Sequence, residues 1–375
     1  MRVLLDVSAV PAHPVGAGVY TIALARGLDG RSDLDLHLLT RTDDADRWND
    51  IAPSATVHAA SPTKRPLRLA WEQTGAARLA RRVAPDVWHG PHYTMPIAVG
   101  VPTVVTVHDL TFFDHPEWHE RAKVAFFRRM IRASARRATA VVCVSEHTAR
   151  RLRALAPPKG EIVVAHHGVD HARFRPEGDT DDDRAHLLRH GVTPPYVAFV
   201  GTLEPRKDVP TLVDAFARLG GRDPDLRLVL AGGDGWGLHA VRDAIVGSGV
   251  ATRIVRTGYL PDEALPALYR RAAAVAYASR EEGFGVPALE ALACGAPLVT
   301  TTGSALEEVV GGAALTVTPG SSSELADALA SLLQDDALAT RLRKAGPVRA
   351  AEFTWERTVD IHTECYARVA ATARA

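Results

Sequence analysis

Two carboxylates flank a glycine turn within residues 280–295, "REEGFGVPALEALACG". Glu282 stands before Gly283, Phe284 and Gly285; Pro287 opens an apolar helix, and Glu290 lies inside it. Backbone N–H groups in a glycine turn and at a helix start attract anions such as phosphate. Carboxylates beside such a turn suit vicinal hydroxyls, from which they accept hydrogen bonds. A ligand carrying sugar hydroxyls next to phosphate satisfies both. Taken alone, Glu281 and Glu282 read equally well as helix-start acids favoured by the dipole. Glu290, between Leu289 and Ala291, fits a solvated face less well.

A second signal is "FVGTLEPRKDVPTLVDAF", where Arg206 and Lys207 follow an apolar run and precede a helix. Paired cations at a strand end suit a diphosphate, although a surface charge pair looks the same in isolation. Gly16 and Gly18 lie between the first strand and the first helix. A dinucleotide fingerprint is not supported there, because position 21 is Thr21 and the second strand ends in Thr40 and Arg41 without an acid. His108 and Asp109 close another apolar run, where a histidine can bind a sugar, act as acid or base, or serve the core alone.

The elements that must position these residues alternate. "RVLLDVS", "LDLHLLT", "VWHG", "PTVVTVHD" and "AVVCVS" read as buried strands, separated by helical stretches such as "GVYTIALARGL". Near-continuous apolar strands with helices between them predict parallel sheets covered on both faces. Residues 171–190, with Pro176, Gly178 and the run Asp181, Asp182 and Asp183, read as a solvated connector and helix start. A second series follows, from "YVAFVGT" through "LRLVLAGG", "IVRTGYL" and "AVAYAS" to "PLVTT". The expected fold is therefore α/β, two Rossmann-like, doubly wound parallel-sheet domains over 1–176 and 177–353, facing a cleft at the carboxyl ends of their strands. Residues 354–375 read as a long helix, expected to pack back on the first domain.

Charge and composition narrow the function classes. The 375 residues carry 44 Lys and Arg against 44 Asp and Glu, which argues against a general nucleic-acid binder. Residues 1–176 hold 24 basic against 17 acidic side chains, and residues 177–375 hold 20 against 27. The basic half leaves room for an acidic partner or an anionic membrane surface. Residues 119–138, "HERAKVAFFRRMIRASARRA", interleave arginines with Phe126, Phe127, Met130 and Ile131, and read either as a membrane-facing helix or as one packed on the sheet. Cys143, Cys294 and Cys365 have neither disulfide nor zinc spacing. The apolar run at the N-terminus is short for a signal peptide, and no run of about 18 apolar residues occurs. A cytoplasmic protein is expected, with peripheral contact on the inner face of the cytoplasmic membrane as a further option.

Together these stretches resemble glycosyltransferase family 4, a retaining group with the GT-B fold, over nearly the whole chain. The Glu282-x7-Glu290 spacing in "EEGFGVPALEALACGAPLV" carries most of the resemblance, joined by "FVGTLEPRKDVPTLVDAF" and by "VSEHTARRL" followed by "VVAHHGVD". "VGAGVYTIALARGL" and "TVHDLTFFDHPEWH" are most similar to its mannosyltransferase-like subset. The resemblance implies that Glu290 holds the ribose hydroxyls of a nucleotide-sugar donor and that Glu282 lies by the donor sugar. It implies that the amides of Gly283, Phe284 and Gly285 lie against the sugar and diphosphate, and that Arg206 and Lys207 neutralise the diphosphate. It places Gly16 and Gly18 near that diphosphate, His108 near the C6 hydroxyl, and the nucleobase on Tyr259 and Leu260. No metal and no cofactor are implied beyond the donor substrate, with GDP-mannose the first expectation. The acceptor is expected to be a glycan, a lipid-linked group or a small molecule. An epimerase of the same architecture and a catalytically silent nucleotide-sugar-binding relative are the competing readings. His167 stands where the family more often has Asn, and Glu281 is an extra acid taken to lie outside the site.

Overall fold

The computed structural model describes residues 1–220 and 223–372. It divides the chain into two compact units, one of Met1–Gly168 with the segment from Trp355 onward, the other of Val169–Thr354. The first unit holds strands β1 (Arg2–Asp6), β2 (Asp35–Arg41), β3 (Thr56–Ser61), β4 (Val87–Gly90), β5 (Thr103–Val107), β6 (Ala140–Cys143) and β7 (Glu161–Val164). They form one parallel sheet in the order β3-β2-β1-β4-β5-β6-β7. The second holds β8 (Tyr196–Val200), β9 (Arg227–Ala231), β10 (Ile254–Gly258), β11 (Ala274–Ala276), β12 (Leu298–Thr301) and β13 (Leu315–Val317). Their order, again parallel, is β10-β9-β8-β11-β12-β13.

The central strands are buried along their length because helices cover both faces, so β4, β5, β6 and β12 present no solvent side. Two strands escape the sequence reading. The edge strand β3, "TVHAAS", is only partly buried and lacks an apolar run, and β13 is three residues long. In each sheet the strand order reverses once, between β1 and β4 and between β8 and β11. The crevice outside the carboxyl ends of such strands is where ligands bind in doubly wound sheets.

The helix Trp355–Thr372 belongs to the first unit, where Val359, His362, Tyr366 and Val369 bury one face at helical spacing. The division falls after residue 168, earlier than the expected 176. Val169 N–H donates to the Phe353 carbonyl at 3.3 Å, and the buried Phe174 packs edge-on against Tyr269, so this stretch is tied into the second unit. The acidic run also departs from expectation. Asp179 caps the helix Thr180–Leu188 through the N–H groups of Asp181 and Asp182, whereas Asp183 is buried and ion-paired with Arg270. The connector is thus solvated at Asp181 and Asp182 and a structural anchor at Asp183.

Candidate active site

In the second unit the loops after β8 and β11 leave neighbouring strands, with Ala274 opposite Val197 and Val275 opposite Ala198. The first loop turns through Pro205–Lys207, and Asp208 takes a left-handed conformation that starts the helix Val209–Arg218. The second carries Ser279 to Gly285 into the helix Val286–Ala293. A hydrogen bond from Arg280 N–H to the Arg206 carbonyl, 2.8 Å, locks the loops together, and the Arg280 guanidinium reaches Asp208 at 2.8 Å.

Glu282 sits where the loops meet. Lys207 Nζ donates to its Oε1 at 2.5 Å, Ser279 Oγ donates to the same oxygen at 2.9 Å, and the Arg206 guanidinium donates to Oε2. Arg206 also pairs with Glu204. Lys207 and Glu282 are each 5% exposed. Burial alone would push the Glu282 carboxyl upward, but Arg206 and Lys207 overcome it and hold the group at about 2. Burial, then the neighbouring Arg206, draws the Lys207 ammonium below its ordinary range against the pull of Glu282. An ammonium has three donors. Among the described residues Lys207 Nζ meets one acceptor, Glu282, so this buried cation holds donor capacity in reserve.

Glu290 faces a different environment. Its Oε2 accepts from the Tyr269 hydroxyl at 3.0 Å, and Oε1 has no partner among the described residues. Burial pushes this carboxyl up to about 7, with the Tyr269 hydrogen bond opposing the shift. The glycine turn between the two acids is sterically required at Gly285. Its φ is +100°, and a Cβ there would collide with the Leu306 side chain. Phe284 is buried and packs edge-on against Phe353, with ring centroids 5.9 Å apart. Tyr259 is 66% exposed while Leu260 is buried, so Tyr259 alone of that pair offers a ring face.

In the first unit, His108 follows β5 and is buried against Tyr20, His92, Tyr93 and His167. Burial lowers its pKa, so the ring is neutral. Its Nε2 lies 2.8 Å from the Pro91 carbonyl, which can only accept; Nε2 therefore carries the proton and Nδ1 is an acceptor. Gly16, with φ +46°, begins the helix Ala17–Leu28 in open space. Gly18 is packed, since a Cβ there would approach Pro14 Cβ to 3.0 Å.

The structure thus brings Arg206, Lys207, Glu282 and the turn to Gly285 together around one sheet edge. Glu290 follows on the same helix, and Gly16, Gly18 and His108 lie in the other unit. Sequence reading missed Ser279, Glu204 and Tyr269. Glu204 lies two residues before Arg206 and was legible as a local partner, whereas Tyr269 meets Glu290 only through tertiary packing. Ser145 is a helix cap, its Oγ accepting from Thr148 N–H at 3.0 Å. Among the described residues no group of three or more His, Cys, Asp and Glu could hold a metal ion. No described helix is long and apolar enough to cross a membrane.

Two Rossmann-like parallel-sheet units are the GT-B fold, and solved structures agree. The fold matches sucrose-phosphate synthase from Thermosynechococcus elongatus with a TM-score of 0.81, at 23% identity, over 99% of each chain. It matches the Anabaena HepE protein in complex with UDP and glucose at 0.79, with 21% identity over 98% of this chain and 100% of that one. Residues 14–173 match the family model described as Glycosyltransferase Family 4, and residues 182–349 that described as Glycosyl transferases group 1. O-antigen chain mannosyltransferase B of Escherichia coli is 30% identical over 72% of this chain and 71% of its own length. D-inositol 3-phosphate glycosyltransferase of Salinispora arenicola is 31% identical over 98% of this chain and 91% of its own. The chain belongs to glycosyltransferase family 4.

Proposed function

We propose that the protein transfers a hexosyl group, mannose first among the candidates, from a nucleotide-diphosphate sugar to a glycan, lipid-linked or small-molecule acceptor, with retention of configuration and without a metal. The observation that carries this reading is the buried Lys207, paired to Glu282 and holding donors in reserve beside Arg206. Breaking the sugar–phosphate bond places negative charge on the departing diphosphate. Fixed cations at that point stabilise it more in the transition state than in the ground state. Glu282 keeps both cations in place before the donor arrives. The open Oε1 of Glu290 accepts a ribose hydroxyl. In this mechanism the acceptor hydroxyl attacks the face the diphosphate leaves, and its proton passes to a departing phosphate oxygen.

Mannose is favoured by the name of the Escherichia coli relative, and UDP stands beside GDP because the HepE complexes hold UDP. A cytoplasmic location with peripheral membrane contact is part of the proposal. On the helix Arg121–Arg137, Arg121, Arg129, Arg132 and Arg136 are exposed while Phe127 and Ile131 are buried. Such contact would be electrostatic, with no apolar insertion by those two side chains. The test is nucleotide release from GDP-, UDP-, dTDP- and ADP-hexoses in the presence of EDTA, with thermal shift alongside. One donor that stabilises the protein and is slowly hydrolysed supports the proposal. Release that requires an added divalent cation rejects the metal-free mechanism, and no response to any donor rejects the donor site.

A further inference from the structure

We propose that the first unit carries an acceptor subsite built from Asp6, Arg68, Glu72 and Thr94, and that it takes an uncharged polyhydroxylated ring. The inference rests on the glycosyltransferase reading above and deepens it. It starts from a helix that packs Trp71 on the core and buries a carboxylate beside it. In Arg65–Thr74 the sole buried residue is Glu72, 9% exposed, while Leu67 is 57% exposed. A surface helix ordinarily turns its apolar stripe inward. Here Arg65, Arg68 and Glu72, spaced three and four apart, share a face, and Glu72 on that face is directed into the protein.

What Glu72 meets lies at the strand-order reversal of the first sheet. Thr94 Oγ1, in the loop after β4, donates to its Oε2 at 2.7 Å, and Gln73 Nε2 donates to its Oε1 at 2.8 Å. Gln73 also pins the helix to that loop through the Met95 carbonyl and the Ile97 N–H. The loop folds tightly over the strand end, since a Cβ at Gly90 would collide with the Thr94 carbonyl. Tyr93 takes a φ of +63°, unusual for a residue with a side chain, and its hydroxyl holds Asp109 at 2.8 Å. From the neighbouring strand, Asp6 ends β1. Its Oδ1 accepts from Ser8 N–H and Ser8 Oγ at 3.0 and 2.6 Å, and its Oδ2 has no hydrogen bond among the described residues. The Arg68 guanidinium, close enough to interact electrostatically with Asp6 and Glu72, forms no hydrogen bond or ion pair with them or with any described residue.

A half-buried guanidinium without a protein partner, beside two carboxylates, is free to donate to a ligand. The open groups are a carboxylate oxygen that accepts and a guanidinium that donates. Burial and the nearby Asp6 push Glu72 up to about 7, so it shares a proton near neutrality. Ring hydroxyls both donate and accept and can serve both open groups, with Glu72 beside them. A phosphate only accepts, so it would leave the open Asp6 oxygen without a donor. Arg41 and Arg65 also lie within electrostatic reach of Arg68, so the selection rests on hydrogen-bond roles and not on net charge.

The test uses the full chain and saturation-transfer NMR with methyl α-mannoside, methyl α-glucoside, methyl α-galactoside and myo-inositol, and with inositol 3-phosphate as the anionic probe. At least one uncharged ring should bind, and its affinity should fall about tenfold or more in Arg68→Met and in Glu72→Gln. Nucleotide-induced thermal shift should be unchanged in both variants. Lys207→Met should show the converse, ring binding kept and nucleotide response lost, so failure of the donor reading is seen separately. Arg68 is unpaired and half-buried, so its variant is expected to fold even if Glu72→Gln does not. Absence of binding by every uncharged ring, equal binding to wild type and Arg68→Met, or binding of inositol 3-phosphate alone would each overturn the subsite.

Discussion

At the scale of the residue, the buried pair Lys207 and Glu282 carries a structural role and, in the proposed mechanism, a ligand-binding one, and mutagenesis touches both. Glu282 is nearly dry and stays ionised because two cations face it. On the proposed mechanism, removing Lys207 removes a donor for diphosphate, and by the observed pairing it leaves Glu282 less compensated. Lys207→Met is expected to lose about 3 kcal/mol of stability, as when one partner of a buried pair is deleted, and two to three orders of magnitude in turnover, roughly as when a transition-state donor is lost. The double variant Lys207→Met with Glu282→Gln should recover much of the stability and none of the turnover; denaturant melts and donor kinetics check both. Recovery of turnover as well would mean that the lysine acts only through folding. The pH signature follows from the depressed carboxyl. The contribution of Glu282 to stability is fully present above its ordinary value of 4.5 and is lost as pH falls toward about 2. Glu290 behaves in the opposite sense. Its raised pKa means that the folded protein holds a proton there more tightly than the unfolded chain, so this group costs stability as pH rises from 4.5 through about 7. If the ionised form accepts the ribose hydroxyl, donor affinity should rise about tenfold from pH 6 to pH 8, following the ionised fraction. Glu290→Gln should flatten that profile, which titration calorimetry at several pH values will read; an unchanged slope would remove Glu290 from the donor site.

At the scale of the element, the strand-to-helix turns decide how closely a ligand can approach. Gly285 combines a left-handed φ with a neighbour, Leu306, that leaves no room for a methyl group. Gly285→Ala should cost about 1–3 kcal/mol, from backbone strain together with the collision, and should raise the KM for donor by displacing the turn. A variant with wild-type melting temperature and KM would show that the turn adapts. The same logic was legible in the sequence, because glycines after an apolar run are recognisable locally. The inward carboxylate of the helix Arg65–Thr74 was not. Its charged residues look like an ordinary solvated face until the structure shows that Glu72 points inward to Thr94. Strands β3 and β13 were missed because edge strands need no continuous apolar run.

At the scale of the whole molecule, the C-terminal helix Trp355–Thr372 completes the core that the N-terminal strands begin. A buried hydrogen-bond chain makes the join. His362 Nδ1 lies 2.7 Å from the Thr358 carbonyl and so carries the proton, which makes Nε2 the acceptor for the Tyr20 hydroxyl at 2.7 Å. Tyr20 in turn meets Thr106 at 3.0 Å, Thr106 meets His89 Nε2 at 2.8 Å, and His89 Nδ1 meets the Tyr366 hydroxyl at 2.7 Å. Burial lowers both histidines, His362 to about 4, so the chain is neutral and each proton has one direction. His362→Leu removes the acceptor of the Tyr20 hydroxyl, leaving it Thr106 alone, and should cost about 1–3 kcal/mol, readable by chemical denaturation; a neutral result would mean that water replaces the ring. The sequence by itself determined the two sheet-forming series, the strand ends that lead to Arg206, Lys207 and Glu282, the glycine turn, and the helix that carries Glu290. Strand and turn preferences act over a few residues, and a parallel sheet places its loops at one edge by construction. Only the tertiary structure decided that Asp183 is an anchor, that Tyr269 holds Glu290, that Glu282 is ionised while Glu72 and Glu290 share protons near neutrality, and that residue 20 bonds residue 362. Burial and charge pairing depend on which distant side chains come together, and no spacing along the chain encodes that distance.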